Sequence, residues 1–290
     1  MNYSIIIPHY NIPDMLSALL DTIPDREDLE VIVVDDKSNS RLDEYEECKK
    51  RNSDRNIRFV DNDTDKKGAG VCRNIGLEHA SGKWLLFADS DDRFTDSLSA
   101  VLDRDVDSKE DIIFYYPSSI NLDTGEESDR HIDFCDTIGK YDSNPDRKNE
   151  LMLRFNLVAP WSKMIRRKMV EENNIVFEDS KVANDVFFCA QIGRFAEKIA
   201  VKKDIIYVVT AREGSITKAV DTTSFNIRLD VFINTTKYIK NAISEEDYNY
   251  LDRNGSYFLH LCRVNGYGIG TMLSTAAKLI KNGIPPLNIG

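Results

Sequence analysis

Residues 3–35, YSIIIPHYNIPDMLSALLDTIPDREDLEVIVVD, decide the fold. They contain two apolar runs rich in β-branched residues, Tyr3 to Ile7 and Leu29 to Val34, and a polar cluster follows each run. Between the runs, apolar residues recur at helical spacing from Pro13 to Ile23, and Asn11 is the expected N-cap of that helix. Short, continuously apolar runs indicate buried parallel strands. The stretch therefore predicts one βαβ unit.

The same alternation continues along the chain. Strands are predicted at 57–60, 84–88, 111–116, 198–201 and 205–210, and helices at 42–51, 71–80, 147–157, 162–173, 183–195 and from 222 onward. A turn is predicted at 123–126, and Gly82 is the expected C-cap of the helix at 71–80. This order indicates an α/β fold, a Rossmann-like, mixed but mostly parallel sheet flanked by helices and followed by a helical C-terminal extension. We place the boundary near residue 215.

Composition and charge narrow the classes of function. The 290 residues are 41% hydrophobic and 30% charged, as in an ordinary globular protein, and the net charge of −11 disfavours general nucleic-acid binding. The five cysteines form no CxxC, so they indicate neither a disulfide framework nor a zinc site. No export signal and no long apolar run are present, so we expect a cytoplasmic protein.

A carboxylate cluster, Asp89-Ser90-Asp91-Asp92, directly follows the apolar run at 84–88. In open α/β sheets, ligands bind beyond the carboxyl ends of the strands. Hard oxygen ligands suit Mg²⁺ or Mn²⁺, which commonly take one or two carboxylates plus substrate phosphates. The cluster therefore predicts a divalent metal at Asp89 and Asp91, although an acidic turn that precedes a helix would produce the same pattern.

Four motifs in a fixed order give the cluster its context: SIIIPHYN at 4–11, VVDDKS at 33–38, GVCRNIG at 70–76 and FADSDD at 87–92. This series resembles family 2 glycosyltransferases of the bacterial capsule, exopolysaccharide or lipopolysaccharide type. The resemblance implies a GT-A fold with a catalytic domain at 1–215, made of a nucleotide-binding half (1–95) and an acceptor half (96–215), and an extension at 216–290. It also implies a nucleotide-sugar site formed by Pro8, Tyr10, Asn11, Asp36, Arg73, Asp89, Ser90 and Asp91.

The resemblance assigns a role to several of these residues. Tyr10 would stack on uracil, and Asp36 would accept a hydrogen bond from the base. Arg73 would lie near the diphosphate, and Asp89 would contact the ribose or the metal. Asp91 would bind the Mn²⁺ or Mg²⁺ that bridges the diphosphate.

The resemblance resumes on the acceptor side at Trp161-Ser162-Lys163 and Asn184-Asp185. Asp185 matches the family's general base, whereas Asn184 stands where the family usually has Glu. Arg212 lies in a segment, 210–217, that is expected to close over the donor. The activity implied is inverting transfer from a UDP-sugar to a hydroxyl of a glycan or lipid-linked glycan in surface polysaccharide synthesis.

Two other classes compete with this interpretation. Aspartate-nucleophile phosphatases also carry a DxD after a strand, but they need Thr or Val where this chain has Arg93. A catalytically degenerate nucleotide-sugar-binding protein remains open, because Asn184 replaces the expected Glu.

The sequence does not decide which surface the C-terminal part contacts. Residues 224–290 carry seven basic and five acidic side chains, and they mix aromatic and aliphatic residues. They could pack on the catalytic domain, pair in a homodimer or contact a membrane surface peripherally. Lys163 and the basic run 166–168 are expected on one helix face, either solvated or in contact with lipid or acceptor phosphate.

Overall fold

The computed structural model of the protein describes residues 1–211 and 221–287. Within these residues one sheet holds eight strands: β1 (Tyr3–His9), β2 (Leu29–Asp35), β3 (Ile57–Asp61), β4 (Trp84–Phe87), β5 (Arg93–Phe94), β6 (Ile112–Asn121), β7 (Lys163–Arg166) and β8 (Ile199–Ala211). The described helices are α1 (Pro13–Leu20), α2 (Leu42–Arg51), α3 (Ala69–His79), α4 (Leu98–Asp105), α5 (Ile132–Ser143), α6 (Arg147–Asn156), α7 (Arg167–Glu172), α8 (Val186–Phe195), α9 (Thr222–Ala242), α10 (Glu245–Tyr250), α11 (Ser256–Val264) and α12 (Gly268–Lys281). The predicted α/β class is confirmed.

The strand order of the sheet is β3-β2-β1-β4-β7-β6-β8-β5. Strands β1 to β4 are mutually parallel, β7 is antiparallel to β4 and β6, and β6 is parallel to β8. The sheet is therefore mixed. Because β1, β2 and β4 end at the same edge, the polar residues that follow them meet there.

The central strands are buried on both faces, as their continuous apolar sequences predict. One face of the sheet packs against α1, α2 and α4, and the other packs against α3, α6 and α8. The close approach of α3 to β1 requires Gly76, since a Cβ there would lie 2.4 Å from Ile6. These layers fix the positions of the strand tips.

The C-terminal helices have a smaller core of their own, made by Phe225, Leu229, Ile233, Phe258, Cys262, Leu279 and Ile284. Helices α9 and α10 also pack against α6 and α8 through a second small cluster that includes Leu151 and Ile239. No helix among the described residues has the length and apolar character needed to cross a membrane. The expected boundary at residue 215 lies outside the described residues.

Several local predictions were wrong. Asn11 does not cap α1: Ile12 is the cap residue, and the Asn11 side chain bonds to the backbone N–H groups of Asn39 and Ser40. The α3 helix ends before Gly82, whose lack of a Cβ instead allows close contact with the backbone of Tyr3 and Ser4.

Three other differences concern the extent of elements. The helix predicted at 162–173 is the short strand β7 followed by α7, because residues 163–166 complete the sheet between β4 and β6. The strands predicted at 198–201 and 205–210 form the single strand β8, whose pairing with β6 shifts register. Helix α5 was not predicted. The turn at 123–126 is confirmed by the hydrogen bond from the Gly125 N–H to the Asn121 carbonyl.

Candidate active site

A cleft of about 460 Å³ lies at the carboxyl edge of β1, β2 and β4. Residues from distant parts of the sequence line it: the strand tips, the start of α3 and the segment 181–185 before α8. Of the predicted site residues, the lining includes Pro8, Tyr10, Asp36, Arg73, Asp89, Ser90, Asp91, Trp161 and Asp185. The fold thus brings the predicted donor and acceptor motifs to one cavity.

Asp36 lies at one end of the cleft and is almost fully buried. Its two carboxylate oxygens accept hydrogen bonds from the Asn62 side chain at 2.9 Å and from the Gly68 N–H at 2.8 Å. A carboxylate has about four lone-pair directions, so it can accept further bonds. The Tyr10 ring nearby is 45% exposed, and the Lys67 ammonium lies 5.2 Å from its centroid. This end of the cleft offers an aromatic face beside a fixed acceptor.

The Arg73 side chain lines the cleft and is 5% exposed. It donates to the Asp89 carboxylate at 2.5 Å and to the Asn184 side-chain oxygen at 2.8 Å. Asn184 is therefore built into the site as a neutral partner of Arg73. A carboxylate at that position would add a second negative charge next to Arg73.

Close packing supports this contact. The start of α3 meets the 178–184 segment so tightly that a Cβ at Gly70 would lie 2.3 Å from the Glu178 carbonyl oxygen and 2.9 Å from the Asn184 Cβ. Any larger residue at Gly70 would separate Arg73 from Asn184.

Asp92 holds the acidic cluster against β8, which sequence reasoning missed. It accepts hydrogen bonds from the Tyr207 hydroxyl at 2.8 Å and from the Thr210 N–H at 2.7 Å. The same hydroxyl accepts the Asp89 N–H at 2.9 Å. Burial, followed by the charges of Asp89 and Asp91, raises the pKa of Asp92. Asp92 therefore positions the cluster, and only the pairing of β8 with β6 and β5 brings Tyr207 to it.

Trp161 forms part of the cleft wall. Its ring stacks on Tyr207, with centroids 5.6 Å apart, and lies 4.3 Å from the Phe134 ring. Stacked aromatic rings present a rigid apolar surface to a ligand.

Asp185 lines the same cleft, immediately before α8, and is partly buried. Burial raises the pKa of its carboxyl group, as does the charge of Asp89, while Arg73 and Lys163 oppose this rise. Within the described part of the chain, no other side chain hydrogen-bonds to this carboxylate. Its oxygens are therefore free to accept a proton from a ligand.

Lys163 does not belong to the predicted basic patch. It is 2% exposed in β7, and its ammonium donates to the carbonyls of Leu157 and Ala159, each at 2.7 Å. Arg166 is also turned inward, donating to the carbonyls of Ser108 and Glu110. The expected helix face at 163–168 is thus not formed, because Lys163 and Arg166 belong to a strand.

Other predicted residues lie beside the cleft or outside the residues that the structure describes. Asn11 bonds to the 39–40 loop and is not among the lining residues. Arg212 and most of the expected closing segment, 212–217, lie outside the described residues. The lining also includes Arg130 and Arg228, which no motif indicated, and His9, which lies within the motif at 4–11 but was given no role. Burial lowers the pKa of His9 to about 4, which leaves it neutral near pH 7.

A family model described as glycosyl transferase family 2 matches residues 4–173, more than half of the chain. The chain belongs to glycosyl transferase family 2. The predicted family is therefore confirmed, and the residues that carried the resemblance between 4 and 163 lie within the match.

Relatives are similar over three quarters of the chain. Poly(ribitol-phosphate) beta-glucosyltransferase of Bacillus spizizenii is 28% identical over 227 residues, covering 74% of this chain and 33% of that protein. Poly(ribitol-phosphate) beta-N-acetylglucosaminyltransferase TarS of Staphylococcus aureus is 27% identical over 221 residues, covering 74% and 36%. The chain thus spans about a third of the length of these curated relatives.

Solved structures share the fold. The crystal structure of S. aureus TarS 1–349 in complex with UDP-GlcNAc superposes with a TM-score of 0.70 at 22% identity, covering 97% of this chain and 81% of that one. Mannosyltransferase PcManGT from Pyrobaculum calidifontis, in complex with GDP-Man and Mn²⁺, gives a TM-score of 0.61 at 16% identity, covering 97% and 75%. The predicted GT-A fold class, with C-terminal helices, is confirmed.

The donor atoms in the cleft fit a divalent metal that is shared with a ligand. Asp89 and Asp91 both line the cavity and, with Ser90, offer oxygen ligands after β4. Among the described residues, no group of three or more His, Cys, Asp or Glu side chains could hold a metal ion. Mg²⁺ and Mn²⁺ commonly complete their coordination with phosphate oxygens and water, so two carboxylates suffice.

Proposed function

We propose that this protein is an inverting glycosyltransferase that moves a sugar from a UDP-sugar to a hydroxyl group of a glycan or lipid-linked glycan in bacterial surface polysaccharide synthesis. The observation that carries the proposal is the single cleft. It holds the donor-motif residues Asp36, Arg73 and Asp89 together with the carboxylate of Asp185, to which no other side chain of the described residues hydrogen-bonds.

The donor end suits a uridine diphosphate. Tyr10 would cover one face of the base, and the Asp36 carboxylate would accept its imide N–H. Arg73 would lie beside the diphosphate, where its charge opposes the negative charge that develops on the leaving group. Relatives support this donor class, because two TarS structures hold UDP and UDP-GlcNAc.

Asp89 and Asp91 would hold a Mn²⁺ or Mg²⁺ ion together with the diphosphate. When bound, such an ion neutralises charge on the departing phosphates. The Mn²⁺ in the PcManGT complex supports this assignment.

Asp185 would act as the general base. Because its pKa is raised by burial and nearby negative charge, it is a stronger base than a solvated aspartate. It would take the proton from the acceptor hydroxyl as that oxygen attacks the anomeric carbon from the face opposite the leaving diphosphate. A single displacement of this kind inverts the anomeric configuration.

The division of labour along the chain follows from these roles. Residues 1–95 would bind the nucleotide, and 96–215 would contribute the acceptor side, with Trp161 in the wall. The enzyme would work in the cytoplasm on an acceptor at the inner face of the membrane. The names of the relatives support a cell-surface polymer as acceptor, since two of them are poly(ribitol-phosphate) transferases.

One observation favours a second candidate, a nucleotide-sugar-binding protein without transfer activity. Asn184 replaces an acidic residue of the family next to the proposed base, and its side-chain oxygen accepts a hydrogen bond from Arg73.

The deciding experiment measures UDP release. The protein is incubated with Mn²⁺ and a panel of UDP-sugars, with and without cell-wall polymer, and donor binding is followed separately by thermal shift. We expect stabilisation by UDP with Mn²⁺, and UDP release that increases with acceptor. Binding without turnover on any donor would support the second candidate, and no binding of any UDP compound would contradict both.

A further inference from the structure

A second cavity of about 680 Å³ opens beside the active-site cleft, between the catalytic sheet and the C-terminal helices. Its walls come from the end of α6, the 183–186 segment, α9 and the chain from Leu251 to Phe258. Most of this wall lies beyond the residues that match the family model, 4–173. We call this cavity the helical groove.

The helical groove and the cleft are continuous. Ala183, Asp185 and Arg228 line both cavities. If the donor occupies the cleft from Asp36 to Asp91, a nucleophile must reach Asp185 from the other side. The helical groove is the space on that side.

The helical groove contains two arginines without an acidic partner. Neither Arg228 nor Arg253 forms an ion pair within the described residues, and the Nε–H of each is buried without an acceptor there. Arg253 donates to the Phe155 carbonyl at 2.7 Å, and its guanidinium lies 5.9 Å from the Phe232 ring. Partly buried charges without partners are costly, so an anionic ligand would stabilise this arrangement.

Burial lowers the pKa of Arg253 to about 10, so it stays charged at neutral pH. The remaining wall is largely apolar, although the carboxylates of Asp185 and Asp252 also line it. Val231, Phe232 and Phe258 line the interior, and Tyr257 is 56% exposed at its edge. An exposed aromatic face beside a cation is suited to a sugar or polyol chain that carries charge.

We propose that the helical groove binds the acceptor, and that this acceptor is a sugar or polyol that carries an anionic group, a phosphate or a carboxylate, held by Arg253 and Arg228. The inference rests on the proposed transferase function and adds the acceptor class and its binding residues. The C-terminal helices are then part of the active site and do more than pack against the catalytic domain.

The test uses the full chain with saturating UDP and Mn²⁺, so that the diphosphate region of the cleft is filled. Saturation-transfer NMR measures binding of ribitol 5-phosphate against ribitol, and of glucuronate against glucose. We expect at least one anionic compound to bind about tenfold more tightly than its neutral counterpart, the size of a hydrogen bond to a charged group. Which pair shows the preference identifies phosphate or carboxylate as the preferred anion.

Variants locate the binding. Arg253→Met should reduce the preference for the anionic compound to less than about threefold, and Tyr257→Ala should weaken both members of the preferred pair. Arg263→Met and Tyr250→Ala are matched controls, because both residues are exposed and lie outside the helical groove. A cooperative thermal transition and a wild-type UDP affinity, both expected in Tyr257→Ala and Arg253→Met, show that each variant is folded.

Two outcomes would overturn the inference. The first is equal binding of anionic and neutral compounds by the wild type, and the second is an anionic preference that survives Arg253→Met. If UDP itself fails to bind, the proposed function fails instead, and the two failures are thereby distinguished.

Discussion

The donor side of the cleft and the helical groove, both lined by residues near Asp185, differ in how their charged groups are partnered. On the donor side, the charged groups are partnered within the protein: Asp36 accepts two hydrogen bonds, and Arg73 is bound to Asp89 and Asn184. In the helical groove, Arg228 and Arg253 have no acidic partner among the described residues. The difference indicates that the donor side is pre-organised by the sheet, whereas the groove depends on its ligand to offset its charge.

The hydrophobic cores behind the two regions also differ, and the core behind the donor side is the larger. The strands behind the donor side are fully buried between two layers of helices, while the helices around the groove share a small core and leave Ile269, Leu273 and Ile280 more than 60% exposed. A smaller core relaxes more readily around a cavity. Predictions that separate the two regions should therefore reveal unequal stability and unequal effects on binding.

The largest effect is expected from a matched pair of core substitutions. Leu86→Ala in β4 and Leu229→Ala in α9 each truncate a leucine that is 1% exposed and leave a cavity in its place. Leu86→Ala should lower the free energy of unfolding by about 4–5 kcal/mol, and Leu229→Ala by about 2–3 kcal/mol, since Leu→Ala costs span roughly this range.

Hydrogen exchange provides the second readout for this pair. Leu229→Ala should speed exchange in α9 to α12 and leave UDP affinity unchanged, because the strand tips do not rest on that helix. Equal destabilisation, or loss of UDP binding in Leu229→Ala, would show that the two regions unfold as one unit.

The next largest effect is expected at Asp185, which lines both the cleft and the helical groove. Asp185→Asn keeps the size of the side chain but removes the base, so transfer should fall by at least about a hundredfold while UDP affinity stays within about twofold. Asp107→Asn, at a carboxylate that is 89% exposed and far from the cleft, is the control. Wild-type turnover in Asp185→Asn would assign the base to another residue, with Glu178 and Asp179 examined first.

A smaller effect is expected on the donor side alone. Removal of divalent metal with EDTA should weaken UDP binding by about tenfold, and Asp91→Ala should reproduce that loss and abolish the response to Mn²⁺. Asp96→Ala, an exposed aspartate outside the cleft, should behave as wild type. Equal UDP affinity with EDTA and with Mn²⁺ would remove the metal from the proposed site.

The sequence predicts the donor side far better than the groove, and the reason is physical. Strands β1, β2 and β4 are continuous apolar runs whose polar ends share one edge, so local sequence alone places Asp36 near Asp89. Strand β7 is only four residues long and is defined by its pairing with β4 and β6, which a local pattern cannot show. Its Lys163 was for that reason misplaced on a helix.

The groove depends on packing between distant elements. Arg228 lies in the first third of α9, and nothing in its local sequence distinguishes it from a solvated helix residue. Only the packing of α9 on α8, together with the return of the chain at Arg253, places both cations in the cavity that Asp185 also lines. Tyr207 likewise reaches Asp92 through the pairing of β8.

The smallest effect tests the neutral partner of Arg73. Asn184→Asp keeps the size of the side chain and places a second negative charge next to a guanidinium that already binds Asp89. Part of the Arg73 charge would then be neutralised, so UDP affinity should fall by a few-fold, well below the effect of metal removal.

The same substitution should change the pH dependence of transfer. Arg73 lowers the pKa of Asp185, against the rise caused by burial and by Asp89. When the neutralised Arg73 lowers that pKa less, the pKa of Asp185 rises further. A base acts when deprotonated, so a higher pKa leaves more of it protonated at a given acidic pH. The acidic limb of the kcat/KM profile should therefore move to higher pH, while its alkaline side stays in place.

Asn184→Ala provides the control for charge, since it removes the hydrogen bond to Arg73 without adding a carboxylate. Its acidic limb should remain at the wild-type position even if its rate falls. An acidic limb that stays fixed in Asn184→Asp would mean that Asp185 does not respond to the charge state of the Arg73 cluster. The neutral residue at 184 would then have no part in tuning the base, and its contact with Arg73 would serve the donor side alone.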